Sequence, residues 1–444
     1  MPFQDLQLRT QDKTFRSFAG SQITLPMLKH PLLLLLLLFA SAAIAQPGCP
    51  DPQATNFDPA ATVNDGSCLY PATNYTLSQA TGLSDTVKET SGLIFAGGRL
   101  WTHNDGGNEA ALYQIDSISF AIVQTVRIGG TTNVDWEDLA FDGTYFYIGD
   151  FGNNTNGNRT DLKIYKFPLA AIPAGNDVTV PASAVEAIEF AYEDQSDFSP
   201  QGANNTRFDC EAMLWRNDSL HLFTKDWIGL QTVHYSLPAT AGVHLARKRE
   251  TLPADGLITG ADISGPGVVL LLGYRTDNGA LFAWLLFDHA NGLFFNGNKR
   301  RIGLGLAPFS GQVEGICFRD SGSGYISNEE LTVSILGQTI TVPPRLYRFG
   351  VAQWLPPVFL PATEAGGSPT PPCRVSPNPV AAGLPIRFAK EIQENAHVEL
   401  WDALGRQTVS NGKTDLAPYA PGLYFLLVRG AANEVLCADK ILVR

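Results

Sequence analysis

Charge is scarce in this chain. Only 17% of its 444 residues are Asp, Glu, Lys or Arg, and 43 acidic residues outnumber 31 basic ones. The formal charge of -12 argues against nucleic acid as a partner, because contacting a phosphate backbone requires a basic surface. Cations suit the chain better, although an acidic excess also simply keeps a protein soluble. No Gly-x-Ser-x-Gly elbow and no His-Glu-x-x-His helix occurs, so two common hydrolase signatures are missing. None of the six cysteines has the Cys-x-x-Cys spacing of a zinc site. Past residue 45 no apolar run approaches the roughly 20 residues that a membrane helix needs.

What is plentiful is glycine (42) and proline (29), which favours short strands joined by turns over long helices. A hydrophobic fraction of 44% is enough for a sizeable core, and the length predicts two to four domains. Residues 1–45 read as an export signal. Lys29 and His30 give a positive start, Leu32 to Leu38 an apolar run, and Ala43-Ile44-Ala45 a small-x-small cleavage site, so the mature chain begins near Gln46. Residues 1–26 are polar and patternless, which points to Met27 as the true start.

Export makes disulfides available. Cys49 and Cys68 flank a compact polar loop over 46–70, and Cys373 and Cys437 bracket the last domain, so both pairings suit domain boundaries. Cys210 and Cys317 fall at neighbouring repeat positions, as expected of buried thiols. Within the first loop, Asp51, Asp58, Asn64 and Asp65 accompany a turn glycine, an oxygen-rich set that suits calcium; the same residues also cap turns. Its Asn56-Phe57-Asp58-Pro59 and Asp65-Gly66-Ser67-Cys68 steps resemble the Cys-flanked Asp/Asn-rich repeats, akin to thrombospondin type 3 repeats, of secreted Bacteroidetes proteins.

The most informative feature is an internal repeat of about 50 residues over 71–355, the length of one propeller blade. Five copies begin Ser91-Gly92-Leu93, Glu137-Asp138-Leu139, Glu211-Ala212-Met213, Thr259-Gly260-Ala261 and Glu314-Gly315-Ile316. Each runs through a short strand, a turn, a second strand and a later aromatic-rich strand, which marks hairpins. An insertion around 170–208 separates the second and third copies. Tyr75 to Ser78 is expected to supply the strand missing from the fifth. The fold class is therefore all-β: a five- or six-bladed β-propeller followed by a small C-terminal β-sandwich.

Antiparallel hairpin geometry brings the start of each first strand and the end of each second strand to one face. Ser91, Glu137, Glu211, Thr259 and Glu314 form one column. Asn104-Asp105, Asp150, Lys225-Asp226, Tyr274-Arg275 and Asn328-Glu329 form the other. Glu137, Asp150, Glu211 and Glu314 are the candidate metal ligands, with calcium as the candidate cofactor. The alternative is that these charges bond neighbouring blades and hold the ring together. His103, at a strand end among acids, is the weak candidate for a catalytic base.

The stretch from Asp135-Trp136-Glu137-Asp138-Leu139 to Gly149-Asp150-Phe151-Gly152 and Arg159, with Asp209-Cys210-Glu211 and Lys225-Asp226-Trp227, resembles a group of secreted Bacteroidetes propeller proteins. It is more distantly similar to phytase-like and SdiA-regulated propellers. That resemblance implies acidic, calcium-binding loops, while the strongly basic cradle of a phytase is missing. Two functions follow: a calcium-assisted propeller that binds an unknown extracellular ligand, or a metal-dependent hydrolase of the phosphoesterase or lactonase kind.

A linker rich in Pro, Gly and Ser spans 356–372. Residues 373–444 carry Pro377-Asn378-Pro379, Gly405-Arg406, Gly422 and Tyr424, and a terminal Lys440 step. The set resembles the type A sorting domain of the type IX secretion system. The resemblance implies a β-sandwich read by the secretion machinery as partner, and a protein that is secreted or held at the outer cell surface.

Overall fold

The computed structural model describes residues 46–335 and 338–356, together with the strands and Cys373 of the C-terminal region. Residues 1–45, the linker from 357 to 372, and Pro377, Asn378, Pro379, Gly405 and Arg406 lie outside the described residues.

Five antiparallel blades follow the five sequence repeats. Blade 1 runs Thr90–Ala96, Arg99–Asn104, Ala111–Ile115 and Ile122–Ile128. Blade 2 runs Trp136–Phe141, Tyr145–Asp150, Lys163–Pro168 and Glu186–Tyr192. Blade 3 runs Cys210–Arg216, Ser219–Thr224, Thr232–Pro238 and Gly242–Leu252. Blade 4 runs Leu257–Ile263, Val269–Tyr274, Ala280–Phe287 and Asn298–Leu306. Blade 5 takes Gln312–Phe318, Ser323–Glu329 and Arg345–Gly350, and receives its outermost strand, Ser78–Gly82, from the N-terminal side of the chain. The five first strands pack side by side, the last against the first, and close a ring. The architecture is a five-bladed β-propeller, so the six-bladed alternative falls away.

The closing strand sits a few residues later than the sequence suggests. Thr73–Asn74 instead adds a parallel strand to the rim of blade 4. The insertion near 170–208 also lies at the rim: Asp177–Val180 runs parallel to the last strand of blade 1, and the last strands of blades 2 and 3 pair in parallel.

The first strands are buried on both faces, so they are rich in apolar residues and the carboxylates they carry are buried with them. The glycine in the repeat's second position answers to crowding at the axis. A Cβ on Gly260 would sit 2.4 Å from the Glu314 carbonyl oxygen, and one on Gly315 would sit 2.5 Å from that of Ser91. Where the repeat carries Asp instead, Asp138 becomes a clasp: its Oδ2 accepts N–H bonds from Met213 of blade 3 (2.7 Å) and Ala261 of blade 4 (3.3 Å). Asp262 likewise accepts from Phe318 of blade 5 at 2.7 Å.

The described C-terminal strands form a four-stranded antiparallel sheet in the order Gln407–Ser410, His397–Asp402, Gly422–Arg429, Val435–Val443, plus a two-stranded pair. Val375, Val398, Leu400, Tyr424, Leu426 and Ile441 are buried in its core, and Cys373 and Cys437 are joined. Gly422, Tyr424 and Lys440 lie on the last two strands, where Tyr424 opposes Ile441 and Phe425 opposes Lys440. No helix among the described residues is long and apolar enough to cross a membrane.

Candidate functional site at the channel mouth

Every blade carries the same irregularity at the same end. The pairing of first and second strands shifts register between Thr90 and Leu93, opposite Ile148/Asp150 in blade 2, between Cys210 and Ala212, between Ile258 and Gly260, and between Val313 and Ile316. Ser91, Glu137, Glu211, Thr259 and Glu314, the whole first column of the repeat, fall within these bulges. A bulge turns its residue out of the pleat, and here it re-aims side chains at the axis.

A polar cavity of about 260 Å³ opens there. Ser91, Asp105, Glu137, Glu211, Lys225, Tyr274, Glu314 and Glu329 line it, all of them members of the two sequence columns. Asn154, Asn204, Trp227 and Gln312 complete the wall. Five carboxylates thus face one ammonium. Lys225 is 3% exposed, binds Glu211, and lies over the rings of Trp227 (5.0 Å) and Tyr274 (5.3 Å). Burial works against its charge, but Glu211, Tyr274 and Glu314 hold its pKa well above the ordinary lysine value.

One side of the mouth gathers Asp105, Asp135 and Glu137, whose oxygens lie within 4.8 Å of one another. Asp105 ends the blade 1 hairpin. Asp135 is placed by the loop into blade 2, where its carbonyl accepts from Phe151 N (3.1 Å) and Gly152 N (3.2 Å). Two glycines leave room for the carboxylates. A Cβ on Gly152 would lie 2.1 Å from Glu137 Oε1 and 2.5 Å from Asp135 Oδ2, and one on Gly106 would lie 2.4 Å from Asp135 Oδ1. Among the described residues no protein donor bonds the Glu137 or Asp135 carboxylate, although Glu137 is only 4% exposed. Burial, then mutual repulsion, pushes Asp135 up to about 7 and Glu137 well above the carboxylate range. Across the mouth the same causes push Glu314 up to about 7 and Glu329 to about 8.

Three expectations differ from the structure. Asp150 does not reach the mouth: the bulge pairs it with Trp136, and its Oδ1 binds Arg159 at 2.8 Å and accepts from Asp135 N. Asp135, in the preceding loop, takes the place expected of it. His103 is fully buried inside blade 1, outside the mouth lining, with Nδ1 on the Asn104 carbonyl (2.9 Å) and its ring edge-on to Trp136. Burial pushes it down to about 4, so it is neutral. In the N-terminal loop, pinned by Cys49–Cys68, Asp51, Asp58 and Asp65 do not come together as a trio. Each caps a separate turn, accepting from Gln53 N, Ala60 N and Ser67 N, while Asn64 accepts from Gly66 N and donates to Asp288 of blade 4. Cys210 and Cys317 are buried free thiols.

No family model and no curated protein matches the chain. Among solved structures it is similar to a PQQ-bound aldose sugar dehydrogenase from Streptomyces coelicolor, at 9% identity and a TM-score of 0.35 over 63% of this chain and 99% of that one. A calcium-binding regucalcin from Agrobacterium tumefaciens gives 12% and 0.31, over 62% and 97%. PorZ, a surface component of the type IX secretion system of Porphyromonas gingivalis, gives 12% and 0.30, over 80% and 45%.

Proposed function

We propose that this is an exported propeller that binds a calcium ion at its channel mouth and, beside it, a small extracellular ligand. The observation that carries this reading is the trio Asp105, Asp135 and Glu137. Its oxygens converge, glycines keep the space beside them clear, and protein donors leave two of the three carboxylates unanswered. Such a set is electrostatically unfavourable alone and favourable around a hard cation, which takes carboxylate and amide oxygens. Asn154 and Asn204 supply neutral amide oxygens in the same wall. The trio would hold the ion, and the ion would supply a positive centre for a ligand oxygen. The C-terminal module is the part we assign to the type IX secretion machinery, which would place the propeller outside the cell.

Calorimetric titration of the mature chain from Gln46 with calcium tests the reading. One site is expected, lost in Asp135→Asn/Glu137→Gln. Heat that survives in that variant would assign the ion to the N-terminal loop and overturn the mouth site.

A further inference from the structure

A second cavity, of about 350 Å³, lies away from the mouth on the rim of blade 4. One wall is the outermost strand of that blade, which contributes Lys299, Arg301 and Gly303, with Trp284 directly opposite Arg301 on the neighbouring strand. The other wall is the segment 70–74. It is fixed by the pairing of Thr73–Asn74 with Ile302 and Gly303, and by Tyr70, whose hydroxyl donates to Asp51 at 2.7 Å. Held backbone therefore frames the cavity on both sides.

The charge of this cavity runs against that of the chain. Lys299-Arg300-Arg301 sets three cations in a row within a sequence of 43 acidic and 31 basic residues, and no carboxylate lines the cavity among the described residues. Lys299 Nζ spends its three N–H groups on the carbonyls of Gly66, Phe295 and Gly297 (2.9–3.0 Å), and Arg300 bonds Gln53 Oε1 and Thr73 Oγ1. Neither charge is answered by a bonded acid. Arg301 is the cation with donors to spare. Its Nη2 donates to the Asp255 carbonyl (3.2 Å), while the Asp255 carboxylate lies 3.9 Å away and is already taken by Arg275. Its Nε is buried with no partner, and its Nη1 makes no bond among the described residues. The guanidinium carbon lies 4.1 Å from the centroid of the Phe282 ring, which restricts its plane. In the facing wall Asn74 is exposed, and its amide has no partner among the described residues.

We infer that this rim cavity is a binding site for a sugar acid, a hydroxylated six-membered ring that carries one carboxylate. It shares no residue with the channel mouth and does not rest on the calcium reading. The carboxylate is taken by the Arg301 guanidinium, whose planar fork matches it, within the field of Lys299 and Arg300. The Asn74 amide both donates and accepts, so it answers ring hydroxyls that a bare aromatic acid lacks. Tyr70 and Trp284 add aromatic wall for the ring. A volume of about 350 Å³ falls at the low end of small-molecule sites, which suits a single sugar unit.

Calorimetry with glucuronate, and in parallel with glucose and acetate, tests the site on the mature chain from Gln46, on Arg301→Gln, on Asn74→Ala and on the mouth variant Asp135→Asn/Glu137→Gln. Asn74→Ala removes no side-chain bond made within the protein, so the fold is retained; melting curves check Arg301→Gln, which gives up its bond to Asp255. Glucuronate is expected to bind the parent chain. It should weaken about tenfold or more in Arg301→Gln and about threefold or more in Asn74→Ala, the losses of a charge-assisted and of a neutral hydrogen bond. The mouth variant should bind it as the parent does. Glucose, the ring without the acid, and acetate, the acid without the ring, should each bind about tenfold or more weakly than glucuronate. Glucuronate binding that is absent, or undiminished in Asn74→Ala, overturns the rim site. Binding lost in the mouth variant places the ligand beside the calcium trio and overturns it as well. Glucose or acetate binding as tight as that of glucuronate overturns the ligand class.

Discussion

Replacing Gly152 by alanine should weaken the calcium site at least about tenfold without unfolding the propeller. The new Cβ would lie 2.1 Å from Glu137 Oε1, while ordinary contact starts near 3.4 Å, so that oxygen must retreat by about 1.3 Å. The nearest obstacles are the ends of two side chains, Glu137 and Asp135, and no positive φ is required of residue 152, so the backbone can stay where it is. Calcium–oxygen bonds span only about 2.3–2.6 Å, and a ligand displaced by more than 1 Å no longer coordinates. Losses from disturbed ligand placement run about 10- to 100-fold in affinity. With calcium at a hundred times its parent dissociation constant, binding stabilises the native state by about 2.7 kcal/mol; a tenfold weaker site leaves about 1.4 kcal/mol. At roughly 2–3 °C per kcal/mol for a chain of this size, the calcium-induced rise in Tm should drop from about 5–8 °C to about half of that or less. Differential scanning fluorimetry with calcium and with chelator reads this directly. A Gly152→Ala protein that gains as much from calcium as its parent would refute the reasoning, and so would one that is unfolded without it.

Asp135, Glu314 and Glu329 have folded-state pKa values raised to about 7, 7 and 8, so the stability tied to their neutral forms is complete below about pH 4 and lost as pH rises through 7–8. Calcium-free Tm should therefore fall across that window, and calcium affinity should rise through pH 7, as a pH series of melts and titrations would show. Asp138→Asn turns an amide N–H₂ toward backbone donors of blades 2, 3 or 4 and should destabilise the ring by about 3 kcal/mol in urea melts; a loss under 1 kcal/mol would deny the clasp. Opening Cys49–Cys68 by serine replacement removes a constraint of about 3 kcal/mol, so limited proteolysis should cut first within 46–70. Deleting residues 373–444 should leave the propeller folded and held in the periplasm, and cell fractionation that finds it outside would refute the sorting role.

The ring was legible because its repeat is a period of turns and apolar runs, and such a period survives divergence of individual residues. Ser91, Glu137, Glu211 and Glu314 could be aligned into a column on that basis, and the structure places all four on the cavity wall. Asp150 falls one position short of the mouth: it pairs with Trp136 as Asn104, Thr224 and Asn328 pair with Thr90, Cys210 and Val313, while the residues that reach the cavity, Asp105, Lys225 and Glu329, come one position later. Asp135 carries no strand periodicity because it sits in the loop before blade 2. Its only signal was company, an acid two residues from Glu137 with Gly152 nearby. The fate of His103 was equally hidden, since a histidine at a strand end reads the same whether it faces water or a tryptophan ring.

The strand that completes blade 5 has a consequence for how the protein can be made. Arg348 pairs with Ser78, some 270 positions earlier, and joining them asks the chain to close a loop of that length at an entropy of about 5 kcal/mol. Until the last blade exists, Ser78–Gly82 has no partner, and the ring has two open edges on which another chain could template. Folding is thus all or nothing from the first blade to the last, and a copy interrupted anywhere before residue 350 is a sheet stack with sticky ends.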